Sequence, residues 1–89
     1  MRQKTYVTEV VDGDSFKTSS DEMRLEGVDA PEHGSENSQK AKKMLEDLIL
    51  NINIEYEGQA RDVYRRLIVQ VWVDGKNVND EMDRFLENL

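Results

Sequence analysis

Tyr6, Thr8 and Val10 alternate with Val7, Glu9 and Val11 in a stretch dominated by β-branched and aromatic residues, and this period of two predicts a strand. Asp12-Gly13-Asp14 breaks the run and Ser15-Phe16-Lys17-Thr18 resumes it, so the Asp-Gly between them predicts a hairpin. After a turn at Ser19-Ser20-Asp21-Glu22, a third strand is expected from Met23 to Val28. It places Met23, Leu25 and Gly27 on one face and Arg24, Glu26 and Val28 on the other. Asp29-Ala30-Pro31-Glu32 leaves the sheet, because Pro31 lacks an amide donor and biases Ala30 away from helix.

From Ser38 to Leu50 the period changes. Ala41, Met44, Leu45, Leu48 and Ile49 fall at helical spacing, with Ser35 or Ser38 as cap and Asn51 as the stop. Ile52, Ile54 and Tyr56 alternate with Asn51, Asn53 and Glu55 as a fourth strand. Leu67 to Val73 is a fifth, ending at the turn Asp74-Gly75-Lys76. Met82, Phe85, Leu86 and Leu89 then recur at i, i+3, i+4 and i+7, which predicts a short C-terminal helix over Asn79 to Leu89 with Asn79 as its cap. The result is a β-rich α+β chain. Three strands, a helix and two more strands are the count and order of a five-stranded OB barrel, with a helix between strands 3 and 4 and a second helix at the end.

With 89 residues, one domain over 1–89 is expected. The absence of cysteine excludes a disulfide framework and a thiolate zinc site. No run approaches the roughly 20 apolar residues of a spanning helix, so no membrane partner is expected. The opening Met1-Arg2-Gln3-Lys4-Thr5-Tyr6 lacks the apolar stretch of a signal peptide. That favours the cytoplasm, with secretion the reading if a signal has been removed. Twelve basic residues against 19 acidic ones give a net charge of −7, which argues against holding nucleic acid by long-range attraction. Any phosphate binding must be local. The pattern does not fix an oligomeric state.

Two constellations carry candidate chemistry. Asp14 at the first turn, with Asp29 and Glu32 after the third strand, supplies hard oxygen ligands of the kind that calcium or magnesium takes. The same aspartates also suit ordinary turn chemistry. Arg24 within a strand and Arg65 with Arg66 before another supply guanidinium groups, which match phosphate oxygens bidentately and stay charged. Cross-strand pairing with an acid is the alternative use of Arg24. His33 reads as a solvated loop residue, Trp72 as core or barrel surface, and Lys40, Lys42 and Lys43 as a solvated helix face.

Four segments in order resemble the staphylococcal nuclease (thermonuclease-like) family: Val10-Val11-Asp12-Gly13-Asp14-Ser15-Phe16, Arg24 through Glu32, Asp62-Val63-Tyr64-Arg65-Arg66-Leu67, and Asp74 through Asn79. The resemblance implies an OB barrel and a calcium-dependent nuclease that cleaves phosphodiesters in DNA or RNA, single strands favoured, and leaves 3′-phosphates. It implies that Asp14, Asp29 and the main-chain carbonyl of Ala30 hold calcium. It further implies that Glu32 activates or orients the attacking water, that Arg24 and Arg66 bind the phosphate and stabilise the transition state, and that Tyr64 contacts the nucleotide phosphate. Arg65 stands where the family usually has glycine, which predicts a different turn and a redirected Arg66 if that glycine has positive φ. The acidic balance favours the alternative reading, a weakly active or inactive OB module that binds nucleic acid or a protein.

Overall fold

In a computed structural model describing all of residues 1–89, the first run lengthens to a ten-residue strand, Gln3–Asp12 (β1). It is followed by Ser15–Thr18 (β2), Glu22–Leu25 (β3), the helix Glu36–Ile49 (α1), Asn53–Glu57 (β4), Leu67–Val73 (β5), the two-residue Lys76–Asn77 (β6) and the helix Val78–Glu87 (α2). The strands lie in the order β3-β2-β1-β4-β5-β6, and β3 also pairs with β5, in parallel. That last pairing closes β1 to β5 into a five-stranded barrel of mixed direction, as the strand count predicts.

β1 serves both halves of the barrel, pairing with β4 through its first residues and with β2 through its last. The change of partner is accompanied by register irregularities between Val7 and Glu9 and between Val10 and Asp12. A bulge bends a strand and resets its alternation, so Val7 and Val10, three apart, both enter the core. Phe16, Met23, Leu25, Ile54, Leu67, Val69 and Val71 join them. Ala41, Leu45 and Ile49 of α1, at i, i+4 and i+8, cover one opening of this cluster, and Val78 and Met82 of α2 complete it.

Ser35 caps α1 by accepting the Ser38 amide at 3.1 Å, and Asn51, at φ 60°, turns the chain out of the helix into β4. Two expectations need correction. β3 stops at Leu25 rather than Val28: Gly27 takes φ 73°, the chain turns, and Val28 becomes fully buried instead of facing out beside Arg24. The cap of α2 is Asn77, whose side chain accepts the Asp80 amide at 2.8 Å, while Asn79 lies buried within the helix.

Gly13 is needed for space rather than for positive φ. A Cβ built there would lie 2.5 Å from Ala41 Cβ and 3.1 Å from the Ala41 carbonyl carbon, so α1 must move to admit it. Gly13→Ala is therefore expected to destabilise the fold by about 1–3 kcal/mol through overpacking. Denaturant unfolding checks this. An unchanged midpoint would show that α1 is not held against the β1–β2 turn.

Candidate active site

The β1–β2 turn carries Asp14, and its main-chain oxygen accepts the Leu25 amide at 2.8 Å, locking the turn to the end of β3. The Asp14 carboxylate is only 16% exposed and takes two donors on Oδ2, the Ala30 amide at 3.2 Å and Arg24 Nη2 at 3.4 Å. The same Arg24 nitrogen donates to Asp29 Oδ1 at 2.9 Å, and Nη1 reaches the Leu25 carbonyl at 3.4 Å. Asp29 is 93% exposed, so one carboxylate is enclosed by the fold and the other is held by Arg24 alone. Four predicted site residues, Asp14, Arg24, Asp29 and Ala30, are thus brought together.

Whether this place suits a calcium ion can be judged from its donors. Two carboxylates and a neighbouring main-chain oxygen are the hard ligands such an ion takes. The gap between the two carboxylates already attracts a cationic group, the Arg24 guanidinium. The residues match such an ion in type and charge, and Asp14 is the more enclosed of the two carboxylates.

Arg66 stands apart from this cluster. β3 and β5 run in parallel with Arg24 opposite Ile68, and Arg66 lies just ahead of β5, sharing a hollow with Glu22 of β3. Its partner is Asp62: Nε donates to Oδ2 at 2.7 Å, and the Arg66 and Tyr64 amides both donate to Oδ1 at 2.9 Å. Burial pushes the Asp62 carboxyl up, but the Arg66 amide and guanidinium and the Tyr64 amide outweigh it and leave the pKa below its ordinary 3.8. The exposed Tyr64 ring lies 5.3 Å from the Arg66 guanidinium, and Glu22, Tyr64 and Arg66 line a shallow open hollow.

Glu32 lies on the loop before α1. Its carbonyl accepts the Ser35 amide at 3.2 Å and the Ser35 hydroxyl at 2.8 Å, while its exposed side chain makes no hydrogen bond or ion pair. Arg65 itself adopts φ 67°, so the turn before Arg66 contains a left-handed residue that is not glycine. The broadest hollow is elsewhere, between the end of β1 and α1, where Asp12, His33, Lys42, Lys43 and Glu46 mix charges of both signs.

A family model described as staphylococcal nuclease homologue matches residues 22–84, well over half of the chain. The chain belongs to that family. The matched segment contains Arg24, Asp29, Ala30, Glu32, Tyr64 and Arg66 and begins after Asp14. A Haemophilus influenzae protein named "Uncharacterized endonuclease" is 33% identical over 81 residues, taking in 85% of this chain and 46% of that protein. The chain therefore spans about half the length of this relative. In this staphylococcal nuclease homologue Asp21 and Arg61 belong to no sequence motif, yet their side chains pair through two bonds of 3.0 and 2.8 Å across 40 positions of sequence. The Arg61 guanidinium holds the Asp21 carboxyl below its ordinary 3.8 and is itself raised by it. No local spacing signals such a pair. Asp62 does carry a local signal, since it precedes Arg66 by four residues in one short segment.

Proposed function

We propose that this chain is a calcium-dependent nuclease that hydrolyses phosphodiester bonds in DNA or RNA, with single strands preferred, and leaves 3′-phosphates. One observation carries the reading: a single guanidinium, Arg24, spans Asp14 and Asp29, two carboxylates from separate turns. Cation-attracting carboxylates and a phosphate-matching guanidinium therefore meet at Arg24, and Arg66 lies just ahead of the strand that pairs with β3.

Asp14, Asp29 and the Ala30 carbonyl would hold the calcium ion, which when bound neutralises phosphate charge and helps to fix the diester in place. Arg24 exchanges its carboxylate bonds for phosphate oxygens as the diester arrives. Arg66 keeps Nε on Asp62 and presents both Nη groups, which have no partner within the chain, to the same phosphoryl group. Glu32 takes a proton from water as the oxygen attacks phosphorus in line with the leaving 5′ oxygen. The P–O5′ bond breaks, the 5′ oxygen takes a proton from solvent water and leaves as a hydroxyl, and the phosphate stays on the 3′ side. Tyr64, exposed beside Arg66, contacts the nucleotide phosphate. An unpaired strand reaches such a ring more readily than a stacked duplex.

The test is hydrolysis of denatured DNA and of RNA at low salt, in calcium and in chelator, by the native chain and by Asp14→Ala. Cleavage is expected only when calcium and Asp14 are both present, with 3′-phosphate ends on the products. Absence of cleavage by a folded sample would overturn the reading and favour a binding module, in keeping with the net charge of −7.

A further inference from the structure

We infer that Arg61, gripped by Asp21, is a positioning residue that holds the Arg65 peptide in place and so aims Arg66. The inference deepens the proposed nuclease reading and rests on it for its activity readout.

Val63, Tyr64 and Arg65 form a three-residue loop between Asp62 and Arg66, closed by the Asp62 amide on the Arg66 carbonyl at 3.0 Å and the Arg65 amide on the Asp62 carbonyl at 2.9 Å. The last residue of such a loop takes the left-handed conformation, for which glycine is the default. Here it is an arginine at φ 67°, a backbone conformation that L side chains disfavour. A residue in that region persists when its surroundings determine it. At Arg65 the determinants are visible. Its amide is held by Asp62, the following amide by the Asp62 carboxylate, and its carbonyl by Arg61 Nη1 at 2.8 Å.

The carbonyl bond is the one tied to a distant part of the fold. Arg61 Nη1 and Nη2 grip Asp21 Oδ1 and Oδ2 at 3.0 and 2.8 Å, a fork-to-fork geometry that fixes the guanidinium in direction as well as position. Asp21 is anchored in turn, since its amide donates to Thr18 Oγ1 at 3.0 Å and its carbonyl accepts the Thr18 amide at 2.8 Å. The β2–β3 turn thus becomes the fixed end of a strut whose other end is the peptide just before Arg66. Arg61 is 48% exposed, and an ion pair so open adds little to global stability, so its consequence is local. The strut does for this loop what a glycine at position 65 does without assistance.

The experiment is a rescue cycle with native, Arg61→Ala, Arg65→Gly and the double variant, read by kcat and KM on denatured DNA in calcium and by amide exchange at Arg65 and Arg66. Arg61→Ala is expected to lower kcat by about 10–100-fold through misplacement of Arg66, with an unfolding midpoint close to native. It should also speed exchange at both amides. Arg65→Gly in that background should return kcat and exchange to within about threefold of native, because glycine accepts the conformation unaided. Unchanged kcat in Arg61→Ala overturns the inference while leaving the nuclease reading intact. A double variant as slow as Arg61→Ala overturns it too, since Arg61 would then act through its charge and not through Arg65. If the native chain cleaves nothing, the nuclease reading falls and exchange decides alone. Acceleration reversed by Arg65→Gly upholds the strut, and no acceleration overturns it.

Discussion

Glu32→Gln is expected to lower turnover of denatured DNA by about 10²–10⁴-fold, the range general-base catalysis contributes, while leaving stability where it was. The two halves of that expectation come from different parts of the residue. Its main chain belongs to the fold: the Glu32 carbonyl takes both the amide and the hydroxyl of Ser35, the residue that caps α1. Its carboxylate belongs to none of this. It is exposed and unbonded, so exchanging an oxygen for an amide nitrogen removes proton-accepting capacity and little else. KM should hold, since Glu32 is assigned to the water and not to the diester. Arg66→Ala makes an instructive contrast, because it strips the ion partner from the Asp62 carboxylate, itself only 16% exposed, and so disturbs the Val63–Arg65 loop as well as the chemistry. Steady-state kinetics beside thermal unfolding separate the two cases. Native turnover in Glu32→Gln would remove Glu32 from the reaction.

The legible parts of this fold are those where local chemistry and tertiary structure agree. β5 follows Leu67 to Val73 as read because every second residue enters the barrel and Asp74-Gly75, at φ 50° and 79°, forms the two-residue turn its sequence suits. The same agreement marks α1, whose Ser35 cap and buried stripe are both visible as pattern. β1 is harder. Its bulges are a demand of barrel closure, and only the three-residue gap between buried Val7 and Val10 betrays them. At the candidate site, Asp14, Arg24 and Asp29 are legible as types in family order, and the barrel brings them to one guanidinium. Arg65 shows the limit of reading one position at a time. A glycine replaced by arginine predicts a different turn, and Arg65 itself adopts the left-handed conformation, held by Asp62 at the start of the loop and by Arg61 just before it. Compensation from 40 residues away, as at Asp21, has no local signature.

The largest stability loss from a single polar side chain is expected at Asn79, for which Asn79→Ala should cost about 2–4 kcal/mol. Two asparagines lie two positions apart at the start of α2, and either suits a cap by type. Asn77 takes that role and Asn79 does something that depends on the closed barrel. Fully enclosed, it accepts the Val71 amide on Oδ1 at 2.9 Å, while Nδ2 donates to the carbonyls of Glu26 and Val69, each at 3.0 Å. One side chain therefore satisfies main-chain groups of β5 and of the segment where β3 ends, and pins α2 across the parallel seam that closes the barrel. Truncation leaves a buried amide and a buried carbonyl of β5 without this partner and opens a cavity of side-chain size. Asn79→Asp tests the apportionment, because it retains the acceptor for Val71 but turns the two donor contacts into repulsion with carbonyls, and it should be at least as damaging. Asn77→Ala should cost less, about 1 kcal/mol, as the loss of a solvent-exposed cap. Equilibrium unfolding in urea ranks the three variants. Equal losses in Asn77→Ala and Asn79→Ala would mean that the seam between β3 and β5 closes without help from α2.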